Sequence, residues 1–139
     1  MIVSLLPATL FAAAPQVEAP VDALRWERRV LLVFAGGSRD PDLAVQRAAV
    51  EDERAAFRDR DLMIVEVVGD SVSGVRDYAP RLRSRYGVGQ SAFAAFLLGK
   101  DGDAKLRSRT PIAAETLFAT IDAMPMRIRE AASNAPRRK

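Results

Sequence analysis

The chain has 139 residues, 49% hydrophobic and 28% charged, with a formal net charge of +3. That is the composition of a globular chain long enough to build one core of its own. It contains neither cysteine nor histidine, which excludes thiol redox catalysis, disulfides, thiolate zinc and an N-terminal lipidated cysteine, and removes the usual base and metal ligand of neutral pH.

No cofactor, no metal and no catalytic residue are expected, and an enzyme built on this chain would have to use carboxylates, Lys, Tyr, Ser or Thr. The positive charge is carried by eighteen arginines against three lysines, interleaved with acids along most of the chain. Nucleic-acid recognition needs basic residues gathered with aromatics, and no such footprint is present.

Residues 1–14 are apolar and end in Ala12-Ala13-Ala14, the pattern of a secretory h-region and cleavage site, although no basic residue precedes it. Pro7, Pro15 and Glu18 keep the run shorter than the roughly 20 residues of a membrane span. The expected organisation is a signal and tether over 1–20, a domain over 21–130 and a basic tail over 131–139. A periplasmic or secreted location follows, with no stable membrane insertion. Trp26, the sole tryptophan, stands among Arg25, Glu27, Arg28 and Arg29; it is expected to cap one end of a sheet with its ring packed, or else to serve as a binding contact.

Residues 29–35, Arg-Val-Leu-Leu-Val-Phe-Ala, form a short β-branched run closed by Gly36-Gly37 and predict a strand buried on both faces. The two glycines make a tight turn or an anion cradle. Ser38-Arg39-Asp40-Pro41 carries helix-start signals, and the helix is expected to run to about Arg60 with Leu43, Val50 and Phe57 inward. Residues 62–68 predict a second strand, giving a right-handed parallel βαβ unit. Residues 71–77 read as loop. Tyr78, Leu82 and Tyr86 then mark a short helix whose Arg81, Arg83 and Arg85 are expected to face solvent.

A third strand is predicted over 93–98. The turn Lys100-Asp101-Gly102-Asp103 leads into an alternating arm from Ala104 to Thr110, hence a β-hairpin. Lys105, Arg107 and Arg109 share one face of that arm, where they guard a sheet edge or hold an anion. Ala114, Leu117, Phe118 and Ile121 form an i, i+3, i+4, i+7 stripe that docks a last helix on the sheet. Met124-Pro125-Met126 ends that helix, and the residues after it are expected to fray.

The order βαβ, short helix, ββα predicts an α/β domain of thioredoxin-like type with a mixed sheet of about four strands. Arg25-Trp26, the strand at 29–35, Gln46-Arg47, Arg60-Asp61-Leu62, Gly99-Lys100-Asp101-Gly102, Lys105-Leu106-Arg107 and Ile121-Asp122-Ala123-Met124-Pro125-Met126-Arg127 together resemble an uncharacterised family of thioredoxin-like domains. That family is found as small exported proteins of Gram-negative bacteria and as a module of animal extracellular proteins, sushi-repeat-containing ones included. The resemblance spans roughly residues 24–130 and implies the fold and an extracytoplasmic setting, but no reaction. The turn that carries cysteines in redox thioredoxins reads Ala35-Gly36-Gly37-Ser38-Arg39-Asp40 here, and Gln90-Ser91-Ala92 stands where they carry a cis-proline.

Three functional readings follow. The first is a non-catalytic exported interaction module that contacts an unknown protein partner through Trp26, Lys100, Asp101, Lys105, Arg107, Asp122 and Arg127. In the second, Lys100, Lys105 and Arg107 bind or turn over a small anion, with Asp101 or Asp122 as acid or base. In the third, Lys100, Asp101, Asp122 and Arg127 form an ion-pair network that pins the final helix to the hairpin.

Overall fold

In the computed structural model, which describes residues 17–134, the chain is organised on strand β1, Arg29–Ala35, every residue of which is buried. The expected export signal and the far end of the expected tail lie outside the described residues. β1 pairs in parallel with β2, Leu62–Val68, from Arg29 opposite Leu62 to Ala35 opposite Val68. On its other side it runs antiparallel to β4, Ala94–Leu98, which pairs with β5, Ala104–Ser108. A parallel βαβ unit followed by an antiparallel hairpin is thus the observed pairing. β4, and β1 after Arg29, are apolar because helices cover both of their faces.

The sheet has five strands rather than about four. Ser71–Ser73, expected as loop, is β3, antiparallel to β2 at the edge, so the order is β3-β2-β1-β4-β5. Gly69-Asp70, which ends the second apolar run, is a two-residue hairpin turn with Gly69 at φ 57°, and Val72 resumes the alternation.

The long helix expected over 41–60 is two helices, α1 over Pro41–Val50 and α2 over Arg54–Asp59. Asp40 caps α1 by accepting from the Asp42 N–H at 2.9 Å. The break falls on Glu51-Asp52-Glu53. Three adjacent carboxylates oppose the negative end of α1 but suit the positive start of α2. Leu43, Val50 and Phe57 are nonetheless all buried, because both helices lie on one face of the sheet.

On that face Leu31, Val33, Ala35, Ala95 and Leu97 meet Leu43, Phe57, Leu117 and Ile121, the last two from α4, Ala114–Asp122. Gln46 is buried among them, and its side-chain amide both donates to Ile112 O at 2.9 Å and accepts from Ile112 N at 2.7 Å. The opposite face carries Val30, Leu32, Phe34, Val65, Val67 and Phe96, against Ala79 and Leu82 of α3, Ala79–Tyr86, and Val21 and Leu24 of a 3-10 turn, Val21–Leu24.

Two further expectations are corrected. Arg81 and Arg85 face solvent, paired with Asp77 and Asp22, but Arg83 is 8% exposed. Its guanidinium donates to Ala35 O at 2.9 Å, Gly69 O at 3.2 Å and Gly89 O at 3.0 Å. These carbonyls lie where β1 and β2 run out, and a planar fork of donors serves several of them at once. Within the described residues the segment after Met124 does not fray either, because Pro125–Asn134 is a helix, α5, that begins on its proline.

Candidate functional site

β1 and β4 are antiparallel, with Val30 opposite Leu98, so the residues before β1 and those after β4 meet at one end of the sheet. Trp26, Arg29, Lys100 and Asp101 come together there. Gly36 to Asp40 and Gln90 to Ala92 lie at the other end. At that second end a Cβ added to Gly36 would fall 2.9 Å from the Ser91 Cα. Gly36 is there because two backbones touch.

The Trp26 ring does not cap the sheet as expected; the residue is 62% exposed. Its backbone is left-handed at φ 71°, and its N–H donates to Lys100 O. Among the described residues, Trp26 and Asp61, at φ 48°, are the non-glycine residues with positive φ. Both touch Lys100, Trp26 through the main chain and Asp61 through its carboxylate at 2.8 Å from Nζ. Left-handed backbone in a bulky side chain is strained and persists only where its surroundings hold it.

Lys100 is 9% exposed. Its Nζ donates to Asp61 and to Glu130 Oε1 at 2.6 Å. Glu130 also accepts from both terminal nitrogens of Arg29, at 3.0 and 3.3 Å. Arg29 is 1% exposed, gives a further bond to Arg60 O at 2.8 Å, and leaves its Nε buried without a partner. Burial pushes the Glu130 carboxyl up, but the hydrogen bonds and charges of Arg29 and Lys100 outweigh it and hold the group below its usual range.

A second ion-pair group lies between α2, α4 and α5. Arg127, 7% exposed, donates to Asp59 O at 2.8 Å and Asp59 Oδ2 at 2.7 Å, and its Nε stands 3.5 Å from Asp122. Asp122 accepts two bonds from Arg60, each 3.0 Å, which with the Arg60 and Arg127 charges hold its carboxyl low. On the hairpin turn, Lys105 reaches Asp101 at 2.7 Å and is the main reason that carboxyl is held low too. Arg107 is exposed with its guanidinium 5.8 Å from the Phe96 ring centre.

The seven residues singled out from the sequence therefore divide. Trp26, Lys100, Asp101 and Lys105 lie at one end of the sheet, Asp122 and Arg127 belong to the second group, and Arg107 stands on the edge strand. Lys100 pairs with Asp61 and Glu130 rather than with Asp101 or Asp122. Sequence reasoning missed Arg29, Asp61 and Glu130. The signal for Glu130 was its position three residues after Arg127, which puts both on one side of a helix; it was lost because the segment read as frayed. No helix among the described residues is long and apolar enough to cross a membrane.

The model of a family described as a domain of unknown function, DUF4174, matches residues 20–130. Among curated proteins, the Sushi repeat-containing protein SRPX2 of Xenopus laevis is similar, 26% identical over 119 residues that cover 79% of this chain. The chain spans only 26% of that relative's length.

Proposed function

Because this chain belongs to the DUF4174 family, which carries no assigned reaction, we propose from its own geometry that it is a non-catalytic interaction module on a thioredoxin-like scaffold. Its protein partner is engaged through the end of the sheet that bears Trp26. The observation that supports this is an exposed indole on strained backbone, held by the Lys100 carbonyl. A large exposed aromatic on a fixed backbone makes contact area with little ordering entropy, and tryptophan is enriched among residues that dominate binding energy. Arg25 and Arg28 lie exposed on either side of it in sequence, and the Asp101–Lys105 pair flanks Lys100. The apolar run at 1–14 and the resemblance to exported domains support a periplasmic or secreted setting.

The anion reading is less well supported, since Lys100 faces Asp61 and Glu130, Lys105 faces Asp101, and Arg107 lies over Phe96. As the sole tryptophan, Trp26 reports on its own surface. Its emission should be that of a solvated indole in the free protein and should shift to the blue on addition of periplasmic or secreted extract fractions that contain the partner. Affinity capture from the same fractions with Trp26→Ala should lose that partner. Capture undiminished by Trp26→Ala would refute the assignment.

A further inference from the structure

We propose that Arg29 and Lys100 form a carboxylate-binding site, now closed by Glu130 of α5, that accepts an acidic peptide segment when α5 lifts away. The site is built from two buried cations. Arg29 is 1% and Lys100 9% exposed, and together they place three donor nitrogens on one carboxylate, with Arg29 in the two-pronged mode. That geometry is the usual recognition of a free carboxylate by arginine. The Arg29 Nε, buried and unpartnered, remains available to a carboxylate seated differently.

The occupant is held in an unusual way. α5 buries no apolar side chain among its described residues: Ile128 is 54% exposed, and the side chain it does bury is Arg127. With Met126 only half-buried, its attachment is mainly ionic, through Glu130 to Arg29 and Lys100 and through Arg127 to Asp59 and Asp122. A helix held by apolar burial leaves only at the cost of exposing that surface to water. One held by ion pairs can exchange its carboxylate for another of the same chemistry.

A single free carboxylate competes poorly with a tethered one, whose effective concentration is of order millimolar. A segment with several carboxylates competes better, because any one of them can take the place of Glu130 and its neighbours stay close by when it leaves. The site adjoins Trp26, whose N–H donates to Lys100 O, but the bonds that hold Glu130 come from Arg29 and Lys100 and not from the indole, so removal of the indole tells the two proposals apart.

The test uses the full chain and a fluorescein-labelled hexaglutamate peptide at low ionic strength, read by polarisation. Glu130→Gln should bind it at least about tenfold more tightly than wild type, as expected when a competing closed state is removed. Lys100→Ala in the Glu130→Gln background should abolish the gain, and Trp26→Ala should leave it intact. A Glu130→Gln chain that binds no tighter, or a gain that survives Lys100→Ala, overturns the proposal. Should Glu130→Gln fail to fold, amide exchange on the wild type decides. Excess hexaglutamate should speed exchange in α5 while leaving α4 unchanged, and no selective change in α5 overturns the proposal equally.

Discussion

Trp26 combines two costs that a surface residue seldom carries together, a left-handed backbone and a solvated indole. Glycine at that position removes the steric strain and gives up little burial, at the expense of a more flexible unfolded chain. Trp26→Gly is therefore expected to leave stability within about 1 kcal/mol of wild type, on the stable side, while partner capture is lost. Urea unfolding followed by circular dichroism measures the first, and a large destabilisation would mean the ring packs in solution. Arg83 is the opposite case, a buried cation whose partners are carbonyl oxygens. Arg83→Met keeps the stem but strips donors from Gly69 O and Gly89 O, so a loss of about 2–4 kcal/mol in the same assay is expected.

Elements are joined here by polar clips as much as by apolar faces. Gln46 of α1 makes both backbone bonds of Ile112, just ahead of α4, so one amide sets the position of two helices over the same sheet face. Gln46→Ala leaves a buried N–H and a buried carbonyl unpaired and should cost about 2–4 kcal/mol, read as a shift in the urea midpoint with an unchanged slope. α5 is clipped mainly by charge, with Met126 half-buried and Arg127 also bonded to the Asp59 carbonyl, and its pH response has a definite sign. The Glu130 carboxyl is held below its ordinary range in the folded chain. Its contribution is thus complete above that range and is lost as pH falls through the lowered folded value.

For the molecule as a whole, Asp77, Asp101, Asp122 and Glu130 are all held low. Burial acts first and upward on Asp77 and Glu130 but is outweighed by their partners, whereas on Asp101 and Asp122 the partners dominate outright. Each stabilises the fold above the ordinary carboxylate range and ceases to as the medium turns acid. The chain has no histidine, so no side chain of ordinary pKa titrates between carboxylates and the alkaline groups. Thermal midpoints should therefore be flat from about pH 5.5 to 8 and decline steadily in more acid buffer. A midpoint that moved by several degrees within that plateau would contradict the ion-pair assignments.

The strands at 29–35 and 62–68, the hairpin after Leu98 and the α4 stripe were legible because alternation, β-branching, turn dipeptides and a 3.6 period are local signals. The division of 41–60 and the strand at 71–73 were also written locally, in three adjacent acids and a Gly-Asp turn, but required weighing a terminus against a run. The pairing of charges was not legible. Glu130 reaches Arg29 across 101 positions and Arg83 reaches Ala35 across 48, and such partners are chosen only when the strand ends converge. The sequence by itself determined which segments are apolar enough to stack as a mixed α/β sheet. The tertiary structure alone decided which cations are buried and which carboxylates they hold, because burial of a charge depends on everything packed around it.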